Sequence, residues 1–370
     1  MIPLNDFKRQ WEDTREDALA AFEEVGASGW YILGRQVREF EDALAQYWGL
    51  PHAVGVASGL DAIEISLKAL GCGAGDRVLT TPLSAFPSTL AIVKLGAVPV
   101  FVDTDECGSI DLQACREALA SRHDIRFFLP VHLYGHALDM GTLGKLCEEF
   151  DCRMVEDCAQ SAGARRCGIA TGTAGRMAAV SFYPTKNLAA LGDGGAILTS
   201  DPVLAETVRK LRDYGQSSRY RHDLVGYNSR LDELHAGYLR RVSLQRLPAW
   251  TEARRRIAAA YVAGIHNPAV RVMGEPAGAY SVWHLFPVLV APGRKADFIA
   301  WLLSQGVECG EHYPAPIPDQ RALEGVPFEL IGGIERARRV CRSEVSLPIH
   351  PYLGEEAIAQ VIAACNGWQS

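Results

Sequence analysis

The sequence has no long uninterrupted apolar run. No stretch of its 370 residues approaches the apolar length of a membrane span. Residues 1–17, MIPLNDFKRQWEDTRED, carry charges where a signal peptide has its apolar core. From these absences we expect no membrane partner and a location in the cytoplasm.

The sequence also lacks patterned cysteines. It has ten of them, and no two are arranged as C-x-x-C. Metal sites and disulfide frameworks usually show tighter, repeated spacing. We therefore expect reduced thiols that pack as small apolar side chains, as free cysteine usually does, and no metal site.

An excess of positive charge is missing as well. The formal net charge is −7 and the isoelectric point is near 5.8, whereas proteins that bind nucleic acid or anionic membranes carry basic surfaces. Neither partner is expected, although a locally basic pocket can still bind a small anion. The content of 48% hydrophobic and 22% charged residues is that of a globular protein.

What the sequence does contain is an alternation of apolar runs and helical stretches between about residues 50 and 200. The apolar runs are nearly continuous, as in strands buried on both faces of a mostly parallel sheet. This alternation indicates a three-layer α/β domain. The predicted strands are 76–86, 97–105, 124–135, 152–160, 177–184 and 194–200, and the helices between them include 61–71, 87–97 and 140–150.

A different pattern begins near residue 250. An Arg- and Ala-rich helix is followed by predicted strands at 282–292 and 343–353, with a helix at 294–305 between them. We therefore predict a large α/β domain over residues 1–245 and a smaller α+β domain over residues 246–370.

Polar residues follow several strands of the predicted sheet. In open α/β sheets, ligands bind at the carboxyl ends of the strands. We therefore expect these residues to converge in one place. They are Ser84 and Phe86, His132 and Tyr134, Asp157 and Gln160, and Ser181 and Lys186.

The segment Ser58-Gly59-Leu60-Asp61 follows an apolar run and opens a predicted helix. Small residues at such a junction leave backbone N–H groups free at a helix N-terminus, where a phosphate binds well. The alternative is an ordinary helix start with Ser58 as the N-cap. Taken alone, this segment does not separate the two.

Asp157 closes the predicted strand at 152–160. A carboxylate at a buried strand end is costly unless it pairs with a cation or a strong donor. A protonated pyridine nitrogen would be such a partner, and a structural salt bridge is the alternative.

Lys186 lies in the segment SFYPTKNL, just after a buried strand and before Gly192-Asp193-Gly194-Gly195. This position predicts a lysine in a site rather than on an exposed helix face. Burial lowers the pKa of a lysine ammonium, which makes the amine a nucleophile able to form Schiff bases.

Several motifs in this order resemble the DegT/DnrJ/EryC1/StrS family of sugar aminotransferases, which use pyridoxal 5′-phosphate (PLP). The resemblance extends over nearly the whole chain. It implies the aspartate-aminotransferase type of fold (fold type I) and a PLP cofactor. The motifs are YILGRQVREFEDALA, HAVGVASGLDA, PVHLYG, VEDCAQSAGA, SFYPTKNL, GDGGAILT, GYNSRLDELHAGYL, VWHLFPV and HYPAP.

The resemblance implies roles for individual residues around the cofactor. Lys186 would form the Schiff base, and Asp157 would pair with the pyridinium nitrogen. Gln160 would lie near the hydroxyl edge of the ring, and Phe86 would stack on its face. The phosphate would be held by backbone amides of Gly59 and Leu60 and by the Ser181 hydroxyl.

The resemblance also implies substrate contacts and a partner subunit. His312 and Tyr313 match a segment that lines the sugar pocket, and Tyr134 and His132 are further candidates that could equally be packed. Asn228 matches a residue that reaches the phosphate of the neighbouring subunit, so the resemblance implies a homodimer with shared active sites.

The implied reaction moves an amino group from glutamate to a nucleotide-linked keto-sugar. Arg219 and Arg221 are candidates for the diphosphate, with a solvated basic loop as the alternative. Trp30 and Tyr31 could cover the sugar or base, or pack in an interface. Lys186 argues against the related dehydratases, in which a histidine replaces this lysine.

Two departures from the family pattern bear on the substrate. Leu60 replaces a common threonine at the phosphate turn, and the form SGLDA resembles the branch that acts at C3 of dTDP-linked 3-keto-6-deoxyhexoses. The segment HYPAP is followed by Ile317 and Pro318 rather than the frequent histidine. Amination at C4, or of a cyclitol, remains an alternative. In another class, a PLP-binding sensor without turnover also remains open.

Overall fold

The structure, a computed structural model, describes residues 1–369. Its helices account for most of the predicted helical stretches, and the predicted helix at 140–150 has the same bounds as α6. The helices are α1 (Phe7–Ser28), α2 (Arg35–Trp48), α3 (Gly59–Ala69), α4 (Phe86–Lys94), α5 (Leu112–Ser121), α6 (Met140–Phe150), α7 (Pro202–Arg212), α8 (Glu233–Tyr238), α9 (Leu244–Gly264), α10 (Lys295–Ser304), α11 (Glu335–Cys341) and α12 (Glu355–Gly367).

The strands are shorter than the predicted apolar runs, because the chain leaves the sheet before each run ends. The strands are β1 (His52–Val56), β2 (Arg77–Thr80), β3 (Val98–Val102), β4 (Ile125–Leu129), β5 (Arg153–Asp157), β6 (Arg165–Arg166), β7 (Ile169–Ala170), β8 (Met177–Ser181), β9 (Gly195–Thr199), β10 (Gln216–Ser218), β11 (Arg221–His222), β12 (Arg271–Val272), β13 (Ala279–Tyr280), β14 (Phe286–Leu289), β15 (Glu329–Ile331) and β16 (Glu344–Leu347).

The large sheet has eight strands in the order β1-β9-β8-β5-β4-β2-β3-β15. The pairs from β8 through β5, β4, β2 and β3 to β15 are parallel, whereas β9 runs antiparallel to both of its neighbours. The prediction of a mostly parallel sheet is confirmed. Its parallel strands bring the ends of β5 and β8 to the same edge.

Alternate residues of the large sheet enter different cores, as the period of two in a strand requires. Val78 and Phe127 pack with α3, α4 and α7 on one face, whereas Leu79 and Phe128 pack with α5 and α6 on the other. Helix α2 covers the second face beside β8 and β9. Helices on both faces give the predicted three-layer α/β arrangement.

The C-terminal part of the chain builds a second core. Its antiparallel sheet has the order β12-β14-β16 and packs with α9, α10 and α12. Strand β15 returns to the large sheet and pairs with β3. The boundary predicted at residue 245 falls in the first turn of α9, and the division into two domains stays a prediction. No helix within residues 1–369 is both long and apolar enough to cross a lipid bilayer.

Two glutamates in the recognised motifs connect helix α2 to its neighbours. Glu233 accepts the backbone N–H groups of Gly34, Gln36 and Val37 and so caps the N-terminus of α2. Glu41 accepts the N–H of Gly55 at 2.7 Å and pairs with a buried arginine of α7. These motif residues hold the scaffold rather than the site.

Candidate active site

A cavity of about 580 Å³ lies at the carboxyl ends of β5 and β8. The N-termini of α3 and α4 form one side, and residues of the C-terminal part of the chain form the other. Its lining residues are Ser58, Gly59, Leu60, Ile63, Ala85, Pro87, Ser88, Asp157, Ala159, Gln160, Ser181, Tyr183, Thr185, Lys186, Asp193, His284, His312 and Tyr313.

The N-terminus of α3 meets the end of β8 at very short range. A Cβ on Gly59 would lie 2.6 Å from the Cβ of Ser181, and a Cβ on Gly195 would lie 2.4 Å from the carbonyl oxygen of Ser58. Only glycine fits at these two positions. Ser58 is the N-cap, since its hydroxyl accepts the N–H of Asp61 at 3.1 Å.

This corner has free donors for an anion. Among residues 1–369, the backbone N–H groups of Gly59 and Leu60 have no hydrogen-bond acceptor, as expected for the first turn of a helix. They line the cavity beside the Ser181 hydroxyl, and the helix dipole favours negative charge there. The two alternatives for Ser58–Asp61 therefore coexist: Ser58 caps the helix, and the next two amides remain available.

Asp157 ends β5 and is 4% exposed. Its carboxylate accepts a hydrogen bond from the hydroxyl of Ser88 at 2.8 Å and one from the backbone N–H of Ala159 at 3.0 Å. Neither donor carries a charge, and no salt bridge engages Asp157 within residues 1–369. Asp157 therefore does not form the structural salt bridge that was the alternative. Its carboxylate lines the cavity instead.

The adjacent Glu156 points to the other side of the sheet. Its oxygens accept the backbone N–H groups of Gly172, Ala174 and Gly175 and a hydrogen bond from His132 at 2.9 Å. His132 is fully buried, so it is packed and does not reach the cavity. Two neighbouring carboxylates therefore have separate roles because consecutive strand residues face opposite sides.

Lys186 lies in the turn after β8, where its backbone N–H donates to the carbonyl of Tyr183 at 2.8 Å. Burial lowers the pKa of Lys186 to about 8, while the nearby carboxylate of Asp157 acts in the opposite direction. About a tenth of the amine is therefore neutral at about pH 7, far more than for an exposed lysine. The next residue, Asn187, anchors the turn by donating to the carbonyl of Val282 at 2.8 Å.

The opposite wall consists of neutral hydrogen-bonding groups. Burial and the charge of Lys186 lower the pKa of His312 to about 4, and the same two causes hold the pKa of His284 well below its ordinary value. Burial raises the pKa of Tyr313. At neutral pH these side chains carry no charge.

Gln160 connects the two walls. Its Nε2 donates to the hydroxyl of Tyr313 at 3.1 Å, and its Oε1 accepts the backbone N–H of Tyr134 at 2.6 Å. The Tyr134 hydroxyl donates to the carbonyl of His312 at 2.7 Å. Tyr134 thus supports the wall from behind, with its side chain 1% exposed and its hydroxyl already used.

The structure brings most of the predicted site residues into one cavity. These are Gly59, Leu60, Asp157, Gln160, Ser181, Lys186, His312 and Tyr313.

Four other predicted residues lie outside the cavity lining. Phe86 opens α4 and packs against Phe101 and Ile317. Tyr134 lies behind the wall. Arg219 is exposed and contacts Tyr220, and Asn228 is exposed and accepts a hydrogen bond from Arg230. The stacking role of Phe86 and the partner-subunit role of Asn228 stay predictions.

Three residues of the site were not singled out from the sequence. Ser88 lies in the first turn of α4 and orients Asp157, and Asn187 adjoins Lys186. His284 contacts Asn187, with 3.2 Å between its Nδ1 and the amide oxygen. His284 belongs to the motif VWHLFPV. The motif identified this segment as part of the family pattern, but it did not indicate that His284 lines the cavity.

The comparisons with known proteins extend over nearly the whole chain. Residues 12–366 match the profile of the DegT/DnrJ/EryC1/StrS aminotransferase family. The dTDP-3-amino-3,4,6-trideoxy-alpha-D-glucose transaminase of Streptomyces venezuelae is 39% identical over 370 residues, covering 99% of this chain and 96% of the relative.

Two solved structures superpose on the chain. DesV of S. venezuelae, solved in complex with a ketimine intermediate, has a TM-score of 0.94 at 39% identity and covers 99% of this chain and 98% of its own. NtdA of Bacillus subtilis, with bound cofactor PMP, has a TM-score of 0.86 at 26% identity and covers 95% of this chain and 81% of its own.

Proposed function

The chain belongs to the DegT/DnrJ/EryC1/StrS aminotransferase family, and we propose that it transfers an amino group from glutamate to C3 of a dTDP-linked 3-keto-6-deoxyhexose. The family and the fold predicted from the sequence motifs are confirmed. The observation that supports the proposal most directly is the meeting of Lys186, Asp157 and the free amides of α3 in one cavity.

The cavity fits pyridoxal phosphate by the chemistry of its groups. The free N–H groups of Gly59 and Leu60, with the Ser181 hydroxyl, suit a phosphate. Asp157, held by two neutral donors, is an unpaired carboxylate that suits a pyridinium nitrogen. When bound, PLP supplies an electron sink for the bonds that break at the amino carbon.

Lys186 would serve first as nucleophile and then as base. Burial lowers its pKa to about 8, so the neutral amine needed to attack a carbonyl is available near neutral pH. Once displaced by the amino donor, the same amine can remove a proton and return it at a neighbouring carbon. Asp157 is oriented throughout by Ser88, which fixes the direction of its negative charge.

The substrate is inferred from relatives and from the form of the phosphate turn. The S. venezuelae relative is named for a dTDP-3-amino sugar, and the sequence SGLDA at residues 58–62 resembles the C3 branch. The neutral wall of His312 and Tyr313 offers donors and acceptors for hydroxyl groups without adding charge. Amination at C4 would instead require a 4-keto-sugar as the substrate.

Glutamate as donor, the homodimer and the cytoplasmic location belong to the proposal as well. Asn228 and Arg219 are exposed on the segment between α7 and α8, outside the cavity of their own chain. Such positions are compatible with a contribution to the active site of a partner subunit. Sedimentation of the purified chain tests the dimer, and a monomer with full activity would contradict it.

The experiment that tests the function is an absorbance titration of the purified chain with PLP, followed by glutamate and then by a dTDP-3-keto-6-deoxyhexose. We expect a visible Schiff-base band that glutamate removes and the keto-sugar restores. A parallel titration with a dTDP-4-keto-6-deoxyhexose tests the alternative, because the nitrogen enters at the carbonyl carbon of the substrate. Restoration of the band by the 4-keto-sugar alone would replace the C3 assignment. A band that no amino donor changes would favour a sensor without turnover.

A further inference from the structure

The neutral wall of the cavity rests on a buried carboxyl that has no part in the proposed chemistry. Glu344 and Ser346 lie in β16, and both are fully buried. The Oγ of Ser346 is 2.9 Å from Nδ1 of His312. The Ser346 hydroxyl donates to Oε1 of Glu344, and Oε2 of Glu344 accepts the backbone N–H of His312 at 2.6 Å.

The backbone fixes these three residues relative to one another. Gly310 and Ser346 exchange two hydrogen bonds, with N···O distances of 3.0 and 2.8 Å. His312 therefore stands two residues beyond a short antiparallel bridge. His312 is thus held at two points. Its ring is hydrogen-bonded to Ser346, and its backbone N–H donates to Glu344.

The protons available to these groups determine which nitrogen of His312 carries hydrogen. A serine hydroxyl has one proton, and here Glu344 accepts it. While Glu344 is ionised, Ser346 can offer Nδ1 only a lone pair, so Nδ1 is then the protonated nitrogen. His312 is neutral at physiological pH, because burial and the charge of Lys186 lower its pKa to about 4. A neutral imidazole has one N–H, so Nε2 keeps its lone pair.

We propose that Glu344 and Ser346 are positioning residues that hold His312 as the Nδ1–H tautomer, so that its Nε2 accepts a hydrogen bond from a donor bound in the cavity. This inference deepens the proposed function and rests on it for the donor, a hydroxyl group of the sugar. Within residues 1–369, no side chain already occupies Nε2 of His312, and the residue lines the cavity.

Exchanging Glu344 for glutamine should invert the tautomer. The backbone N–H of His312 needs an acceptor, so the amide oxygen takes the place of Oε2 and the amide NH₂ faces Ser346. Ser346 then accepts from the amide and gives its own proton to Nδ1 of His312. The imidazole would carry its hydrogen on Nε2, toward the cavity.

The test is ¹⁵N NMR of the full chain with PLP bound and its histidines ¹⁵N-labelled, without substrate. The His312 resonances are assigned by their loss in a His312→Gln variant. Measurement at about pH 8.5 keeps Glu344 ionised, since burial raises its pKa to about 7. In the unmodified chain we expect a pyrrole-type shift for Nδ1 and a pyridine-type shift for Nε2, and in Glu344→Gln the reverse.

Glu311→Gln is the matched control. Glu311 is an exposed neighbour that pairs with Lys295 and has no hydrogen bond to Ser346. The variant loses the same charge and should keep the Nδ1–H tautomer. An Nε2–H tautomer in the unmodified chain, or no inversion in Glu344→Gln, would overturn the proposal.

Ser346→Ala keeps the test decisive if Glu344→Gln does not fold. It removes the acceptor of Nδ1 without changing the charge, and we expect a mixture of the two tautomers. A pure Nδ1–H tautomer in this variant would overturn the proposal. Because the tautomer is read without substrate, its failure can be told apart from failure of the proposed reaction.

Discussion

The two walls of the cavity are built in opposite ways. The wall from the large sheet presents charge, with Lys186 and Asp157 at the ends of neighbouring parallel strands. The wall from the C-terminal part presents His284, His312 and Tyr313, which are neutral at neutral pH. The difference teaches how one cavity can break bonds and recognise hydroxyl groups: charge is confined to the wall where electrons must move.

The charged wall also sets the state of the neutral wall. The ammonium of Lys186 contributes to the lowered pKa of both His284 and His312. Burial, which lowers the pKa of Lys186 itself, makes each charge costly and keeps their number small. If this division is correct, substitutions in the first wall should abolish chemistry, whereas those in the second should weaken recognition.

Removing the amine should give the largest effect. Lys186→Ala is expected to reduce single-turnover amination by at least about 10³-fold, since nucleophile and base are lost together. The visible Schiff-base band should disappear while the thermal midpoint stays close to that of the unmodified chain. Lys145→Ala, an exposed lysine of α6, is the control. If the Lys186→Ala chain kept the band, Lys186 would not be the residue that forms the Schiff base.

Asp157→Asn should cost about 10²-fold in the rate of amination, because it removes the negative charge that would pair with the pyridinium nitrogen of PLP. Its neighbour provides the contrast. Glu156→Gln should leave the rate per folded molecule nearly unchanged but lower the free energy of unfolding by about 2 kcal/mol, because its NH₂ would face backbone donors. Urea unfolding and single-turnover rates measure the two effects. Equal rate losses in both variants would refute the assignment of separate roles.

This contrast also shows what the sequence can and cannot predict. Asp157 and Lys186 follow apolar runs within a few residues, so strand-end logic and local motifs locate them. Ser88 is 69 residues from the carboxylate that it orients, and His284 is 97 residues from Asn187. Contacts of this kind depend on how the strands are ordered, and periodicity along the chain does not encode that order.

Errors in the predicted segments have a related cause. The strand predicted at 76–86 ends at Thr80, and Phe86 begins α4 instead. The apolar character continues past the last sheet residue because the loop is buried as well. Tyr134, a candidate substrate contact that could equally be packed, lies in a buried loop where its hydroxyl donates to the carbonyl of His312, and a role in substrate binding stays a prediction.

Gly59→Ala tests the phosphate corner of the charged wall. The added Cβ would lie 2.6 Å from the Cβ of Ser181, so the start of α3 must move and its free amides with it. We expect PLP to bind about tenfold more weakly, which corresponds to about 1.4 kcal/mol. Gly26→Ala is the control, since a Cβ there meets nothing within 4 Å. Fluorescence titration with PLP reports both, and equal affinities would argue against a phosphate at this corner.

The pH dependence of cofactor attachment probes the same wall without a substitution. With a pKa of about 8 for Lys186, the neutral amine increases about tenfold between about pH 7 and 9 and then levels off. An exposed lysine, with a pKa near 10.4, would instead show about a hundredfold rise over that range. Because Asp157 raises this pKa, Asp157→Asn should move the midpoint to lower pH. Stopped-flow absorbance of PLP addition measures both curves.

The smallest expected effect separates the two tyrosines of the neutral wall. Tyr313→Phe removes the hydroxyl that accepts from Gln160 and should raise the KM for the keto-sugar about fivefold, the equivalent of about 1 kcal/mol. Tyr134→Phe removes a hydroxyl that reaches only the carbonyl of His312. It should lower stability by about 1 kcal/mol and change KM by less than about twofold. If Tyr134→Phe raised KM more than Tyr313→Phe, Tyr134 would be the substrate contact. The wall would then have to open further in the working enzyme than this structure shows.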